Sequence, residues 1–202
     1  MKVDSFNELD IEEFLSTYKA FKNSKFITII WKVYNKNQLE EFLNINKDNT
    51  ATHNCYAYKY GFQNQEYGYF NDKEPNGTSG DCLLSIINKK NITNIVILVT
   101  RHFGGTKLGT GNLQKAYSAG AIELIDKSSI KIKSIMCKLK IQYSINDSKK
   151  INNFINKICV KTIPLIVYEG NFVISTVLIK TKELLNEVMF KIKILEEIID
   201  YF

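Results

Sequence analysis

Apolar positions along this 202-residue chain fall into short blocks whose spacing switches between a period of two and one of three to four. Ile95-Val96-Ile97-Leu98-Val99 is an unbroken apolar run with the length and β-branched content of a buried strand. Downstream, Leu113, Ala116, Tyr117, Gly120, Ala121, Leu124 and Ile125 recur at helical spacing. Between the two lies Thr100–Asn112, with four glycines in the eight positions from Gly104 to Gly111. The order strand, glycine-rich loop, helix is the first organising feature of the chain.

Upstream, the pattern predicts a helix over 10–21, with Asp10 as its cap and Ile11, Phe14, Leu15 and Tyr18 on one face. A strand over 25–33 follows, then a short helix over 37–46 through Leu39, Phe42 and Leu43. His53–Tyr60 reads as a strand, and Asn64-Gln65 as a turn into a partner strand around Tyr67–Phe70. A helix over 81–88 runs through Leu83, Leu84 and Ile87. Strands and helices mix without strict β-α-β alternation, which predicts an α+β fold.

The composition changes after Asp126, and residues 127–134 are the expected linker. Beyond it the pattern reads strand (130–144), helix (147–158), strand (162–168), strand (172–180), helix (182–190) and a final strand. That βαββαβ order is the ferredoxin-like plan. In its first strand Cys137, Leu139, Ile141 and Tyr143 point one way, and Lys138, Lys140, Gln142 and Ser144 the other.

Charge follows the same division. Residues 1–126 carry 14 basic and 14 acidic side chains, residues 127–202 carry 13 and 7, so the net charge of +6 belongs to the C-terminal part. Lysine outnumbers arginine 26 to 1, which points to compositional bias and weakens the overall charge as a sign of nucleic-acid binding. Lys131, Lys133, Lys138 and Lys140 are the candidates for contact with a phosphate backbone. Regular aromatic positions for base stacking are lacking on that strand face, so no DNA sequence specificity is expected. No apolar run is long enough to span a bilayer, and the polar start Met1–Glu8 is no secretory signal. Four cysteines without a Cys-x-x-Cys pair fit reduced thiols and a cytoplasmic location.

Three polar segments can carry chemistry: Thr52-His53-Asn54-Cys55, Asp72 with Glu74–Gly80, and Arg101-His102 with the glycine loop. A glycine loop entering a helix gathers unpaired N–H groups at the positive end of the helix dipole, and Arg101 and Lys107 flank it. Neither the P-loop nor the complete dinucleotide pattern is present. Two readings fit: an anion cradle, or a tight connection in which Arg101 makes a structural ion pair. Cys55 is better read as a buried thiol than as a nucleophile. Glu74-Pro75-Asn76-Gly77 has the make-up of a β-turn, against general acid–base work by Asp72 and Glu74. His53, Asp72, Glu74 and His102 lack compact metal-ligand spacing, so neither metal nor cofactor is expected.

Thr52–Tyr58, Glu74–Gly80 and Thr100–Gly105 with Lys107-Leu108-Gly109 and Ala116-Tyr117 resemble, in this order, the motifs of the YigZ/Impact family across residues 25–126. The resemblance implies a ribosomal protein S5 domain 2-like fold for residues 1–126 and a small ferredoxin-like domain over 135–202. The pair is similar to domains IV and V of elongation factor G. Eukaryotic members act in translational control by binding a ribosome-associated activator of a stress kinase through an additional N-terminal domain; that partner does not transfer. His102, Asn112 and Lys73 depart from the pattern, the first from an aromatic and the other two from glycine. Asn112 can serve as a helix N-cap.

The resulting expectation is a translation-associated binding protein, not an enzyme, with RNA, the ribosome or another phosphate-bearing ligand as partner. The expected ligand site is His53, Asn54, Glu74, Gly77, Thr78, Arg101, Gly104, Gly105, Lys107, Gly109 and Gly111. The rival is a hydrolase using His53, Asp72 and Glu74 beside Arg101.

Overall fold

The computed structural model describes residues 5–62 and 64–202, apart from the side chains of 161–165 and 201. The chain forms two compact units, one ending at Ile132 and one beginning at Lys133.

The first unit contains β1 (Ser5–Leu9), β2 (Leu15–Phe21), β3 (Ser24–Lys32), α1 (Lys36–Asn46), β4 (His53–Tyr60), β5 (Glu66–Phe70), α2 (Gly80–Lys89), β6 (Ile95–His102) and α3 (Thr110–Lys127). Five strands form a sheet in the order β2-β3-β6-β4-β5, each antiparallel to its neighbours. The apolar run is its central strand. Ile95, Ile97 and Val99 pack with α2 and α3 on one face, while Val96 and Leu98 pack with Leu39, Phe42 and Leu43 of α1 on the other. Cover on both faces explains why β6 lacks alternation. All seven α3 residues picked out by helical spacing are buried.

The helix predicted over 10–21 is not formed; this segment enters strand β2 instead. Leu15, Thr17, Lys19 and Phe21 are half-buried and alternate with exposed Ser16, Tyr18 and Ala20. Phe21 pairs with Ser24, and the two residues between them, Lys22 and Asn23, have φ of 43° and 65°. This is the geometry of a two-residue primed hairpin turn, and its twist suits antiparallel strands. Seven paired residues against β3 outweigh a three-turn helix, which is marginal without tertiary support. Asp10 caps nothing and pairs with Lys131 at 2.6 Å.

In the second unit β7 (Ile130–Ser144) leads through a 3-10 turn to α4 (Ser148–Ile158), then β8 (Lys161–Glu169), β9 (Phe172–Ile179) and β10 (Ile192–Tyr201). Its strands lie in the order β10-β7-β9-β8, all antiparallel. Cys137, Leu139, Ile141 and Tyr143 form one side of its core with Ile151 and Ile155 of α4. The helix predicted over 182–190 is replaced by two 3-10 turns, Lys182–Leu185 and Met189–Lys191. Only Leu185 and Val188 of this stretch are fully buried, and that three-residue spacing suits 3-10 geometry better than an α-helical face. Between α3 and β7, where a linker was expected to begin, only Ser128 and Ser129 lie outside regular structure.

One glycine of the loop is fixed by close approach. A Cβ on Gly104 would lie 2.2 Å from the Asn23 carbonyl, whereas one on Gly111 would meet nothing. Gly104→Ala is therefore expected to destabilise the protein by about 2 kcal/mol, as overpacking does. Gly111→Ala, in the first turn of α3, is expected to be neutral or to stabilise by about 0.5 kcal/mol. Urea unfolding of both variants checks the contrast.

Candidate functional site

The first unit brings β4, β6, α3 and the β5–α2 loop together around one carboxylate. His53 and Arg101 are register partners on adjacent strands, so both side chains emerge on the same face. Glu74 reaches that point from the loop. Its Oε1 lies 2.6 Å from Arg101 Nη1 and accepts the Tyr117 hydroxyl at 2.7 Å. Arg101 is 5% exposed, Glu74 8% and Tyr117 0%. The guanidinium also lies 5.5 Å from the Phe26 ring centre and 5.3 Å from that of Phe103. A buried carboxylate is tolerated only with such partners, and here a cation and a hydroxyl share one of its oxygens.

Cys55 completes the group. Its thiol lies 3.0 Å from the Asn71 carbonyl oxygen and 3.4 Å from the Tyr117 hydroxyl. Burial pushes the thiol up to about 12 and drives the Tyr117 phenol up as well. A thiol that holds its proton throughout the neutral range is no nucleophile.

His53 and Asp72 are joined in a different way. His53 Nδ1 lies 2.7 Å from the Asp72 carbonyl oxygen, which can only accept, so Nδ1 carries the proton. In the neutral ring Nε2 is then unprotonated, and it lies 3.6 Å from Glu74 Oε1. The Asp72 carboxylate accepts the Asn54 backbone N–H at 2.7 Å. Asp72 thus braces β4 and positions His53. Asp72 and Lys73 have φ of 43° and 67°, so the lysine standing where the family pattern has glycine occupies a left-handed position. That costs a side chain about 1 kcal/mol.

A cleft of about 430 Å³ opens above this group, lined by Thr52, His53, Glu74, Pro75, Arg101, Phe103, Lys107, Leu108, Gly109, Thr110 and Leu113. Of the expected ligand residues, His53, Glu74, Arg101, Lys107 and Gly109 are in its wall. The other six are not. Asn54 bonds Asp48 and Thr100, Gly77 N–H is held by Asp81, and Thr78 donates to the Pro75 carbonyl at 2.6 Å. Gly104 N–H is taken by Ser24. Gly105 and Gly111 are outside the lining. Gly109, with φ of 76°, is the N-cap of α3 and offers no side chain. Asn112 does not cap the helix as expected; it lies within it and donates to the Leu108 carbonyl at 3.0 Å.

Sequence reasoning missed Tyr117 as a polar partner and Thr52, Pro75, Phe103 and Thr110 as lining. Tyr117 sits at a core position of α3, and nothing in its spacing announces that its hydroxyl meets a residue 43 positions away. Among the described residues no cluster of three or more metal-ligating side chains occurs, and no helix is long and apolar enough to cross a membrane. In the second unit, Lys140 is the register partner of Glu196, and in the first Lys131 pairs with Asp10. Lys133 and Lys138 are half-buried.

These features define an α+β protein of two antiparallel sheets whose first unit carries a cleft over a buried arginine–glutamate pair. The model of the Impact N-terminal domain matches residues 22–125, and the chain belongs to the YigZ/Impact family. It is 33% identical over 119 residues to IMPACT family member YvyE of Bacillus subtilis, covering 58% of this chain and 55% of that protein. It is 27% identical over 132 residues to IMPACT family member YigZ of Escherichia coli, covering 63% of this chain and 65% of that one. The matches thus span less than two thirds of these relatives. A crystal structure of a hypothetical protein superposes with a TM-score of 0.62 at 24% identity, over 96% of this chain and 97% of that one, and supports the fold alone.

The buried thiol yields a pH prediction. The unfolded thiol ionises near its ordinary value of 9, the folded one near 12, so between these the unfolded state binds fewer protons. Stability should fall with rising pH across that window, by up to about 1.4 kcal/mol per pH unit from this group. Cys55→Ala should flatten the alkaline limb of the stability curve, measured by urea unfolding at pH 8–11. An unchanged limb contradicts the assignment.

Proposed function

We propose that the protein is a translation-associated binding protein, with the cleft as its site for a phosphate-bearing group of RNA. On this reading the first unit has the ribosomal protein S5 domain 2-like arrangement and the second, with strand order β10-β7-β9-β8, the ferredoxin-like one. The observation that carries the reading is how charge is distributed in the cleft. Arg101 is already neutralised by Glu74, so the net attraction for an anion comes from Lys107 and the first turn of α3, beside the Thr110 hydroxyl. The residues suited to covalent or proton chemistry are tied into structural bonds, which favours binding over turnover. The second unit adds weak attraction for the RNA backbone through Lys138 and Lys140, lessened by Glu196 opposite Lys140.

One observation favours a hydrolase as second reading: His53 has its Nδ1 proton fixed by a carbonyl, which in the neutral ring leaves the Nε2 lone pair at the cleft wall. A screen of phosphoester, nucleotide and peptide substrates separates the two. Turnover that His53→Ala abolishes establishes the enzyme.

Co-sedimentation with ribosomes and RNA at moderate salt tests the main proposal. Lys107→Gln is expected to weaken RNA binding and lower the salt slope by about one. Joint neutralisation of Lys138 and Lys140 is expected to weaken binding less and to lower the slope by less. Unchanged binding and slope in Lys107→Gln would overturn the cleft assignment.

A further inference from the structure

The Phe103 ring is 44% exposed and forms part of two hollows at once. On one side is the cleft with Lys107 and the start of α3. On the other is an open hollow of about 540 Å³ lined by Tyr18, Asn23, Lys25, Ile27, His102 and Phe103. That hollow holds three flat rings, with Tyr18 53% exposed, and its sheet positions are fixed: Tyr18 is the register partner of Ile27, and Lys25 that of His102. The imidazole is held at its edge by Asp48, 3.2 Å away, a carboxylate that also accepts from Thr50.

We infer that a nucleotide of single-stranded RNA stacks its base on Phe103 in this hollow and places its phosphate in the cleft. Three observations support the pairing. First, the ring is pre-set: Phe103 N–H donates to Thr52 Oγ1 at 3.0 Å, and the Arg101 guanidinium lies 5.3 Å from the ring centre. Second, Lys25 and Lys107, one in each hollow, make no ion pair among the described residues, so cations stand on either side of the ring. Third, the buried Arg101 Nε has no hydrogen-bond partner among the described residues, and Arg101 is in the cleft wall. Aromatic faces beside a cationic track are how single strands are held without reading sequence, since every base has a π-face. Stacking on a ring does not itself select a base, so the stack should tolerate all four.

This inference rests on the cleft reading above, and the experiment separates them. Fluorescence anisotropy on the full chain compares a labelled hexauridylate with a hexamer of abasic ribose-phosphate units, with free uridine monophosphate as competitor. The intact strand should bind about tenfold or more tightly than the abasic one. Phe103→Leu should erase that preference, Phe103→Tyr should keep it, and Lys107→Gln should weaken both ligands. Equal affinity for the two hexamers, or a preference untouched by Phe103→Leu, overturns the stack and leaves the cleft reading standing. Failure of both hexamers to bind overturns both. Monophosphate binding as tight as that of the hexamer overturns the assignment to RNA in favour of a free nucleotide.

Discussion

Burying a carboxylate in the middle of a small α+β unit is costly, and the arrangement of the first unit follows from how Glu74 is compensated. Arg101 supplies the charge, Tyr117 a hydroxyl, and His53 stands just beyond hydrogen-bonding distance. Those three come from the central strand, the long helix and the neighbouring strand, so one oxygen atom fixes the mutual positions of β6, α3 and β4. The loop that brings Glu74 in must be held as firmly. Its bonds are local and numerous, from Thr78 to Pro75, Gly77 to Asp81 and Ser79 to Asn71. A buried pair of this kind adds little net stability compared with well-packed apolar side chains, but breaking it from one side is expensive.

The same pair shapes what the cleft above it can do. A guanidinium matched by a carboxylate contributes hydrogen-bonding capacity and a flat surface, with little net field. Attraction for an anion falls to Lys107 and the α3 start, both at the cleft mouth, where salt screens them. On the proposed reading, a cleft so built suits weak, salt-sensitive association with a polyanion better than tight capture of one phosphate. The exposed ring of Phe103, with Arg101 beside it, lies where a ligand would pass from that mouth onto the open sheet face.

Much of this was legible in the chain. The run at Ile95–Val99 announced a strand covered on both faces, and the α3 core positions followed from their spacing. The alternation from Cys137 to Tyr143 separated core from surface in β7. Residues 10–21 misled because Ile11, Phe14, Leu15 and Tyr18 fit a helix by spacing, while the deciding fact was a partner strand and a Lys22-Asn23 turn with left-handed backbone. The second misreading, over 182–190, came from a stretch with only two anchoring apolar residues. At the site, the three polar segments were visible, and of the expected residues five line the cleft. The division of labour was not, because whether an arginine is free or paired depends on a contact between Glu74 and Arg101 that no local pattern encodes.

A double-mutant cycle on Glu74 and Arg101 tests the central claim most directly, with Glu74→Leu, Arg101→Met and the double variant compared by urea unfolding of the full chain. Each single replacement should cost about 3–5 kcal/mol because it strands a buried charge, and the double should cost clearly less than their sum. Additive losses, to within about 0.5 kcal/mol, would show that the pair does not organise the unit.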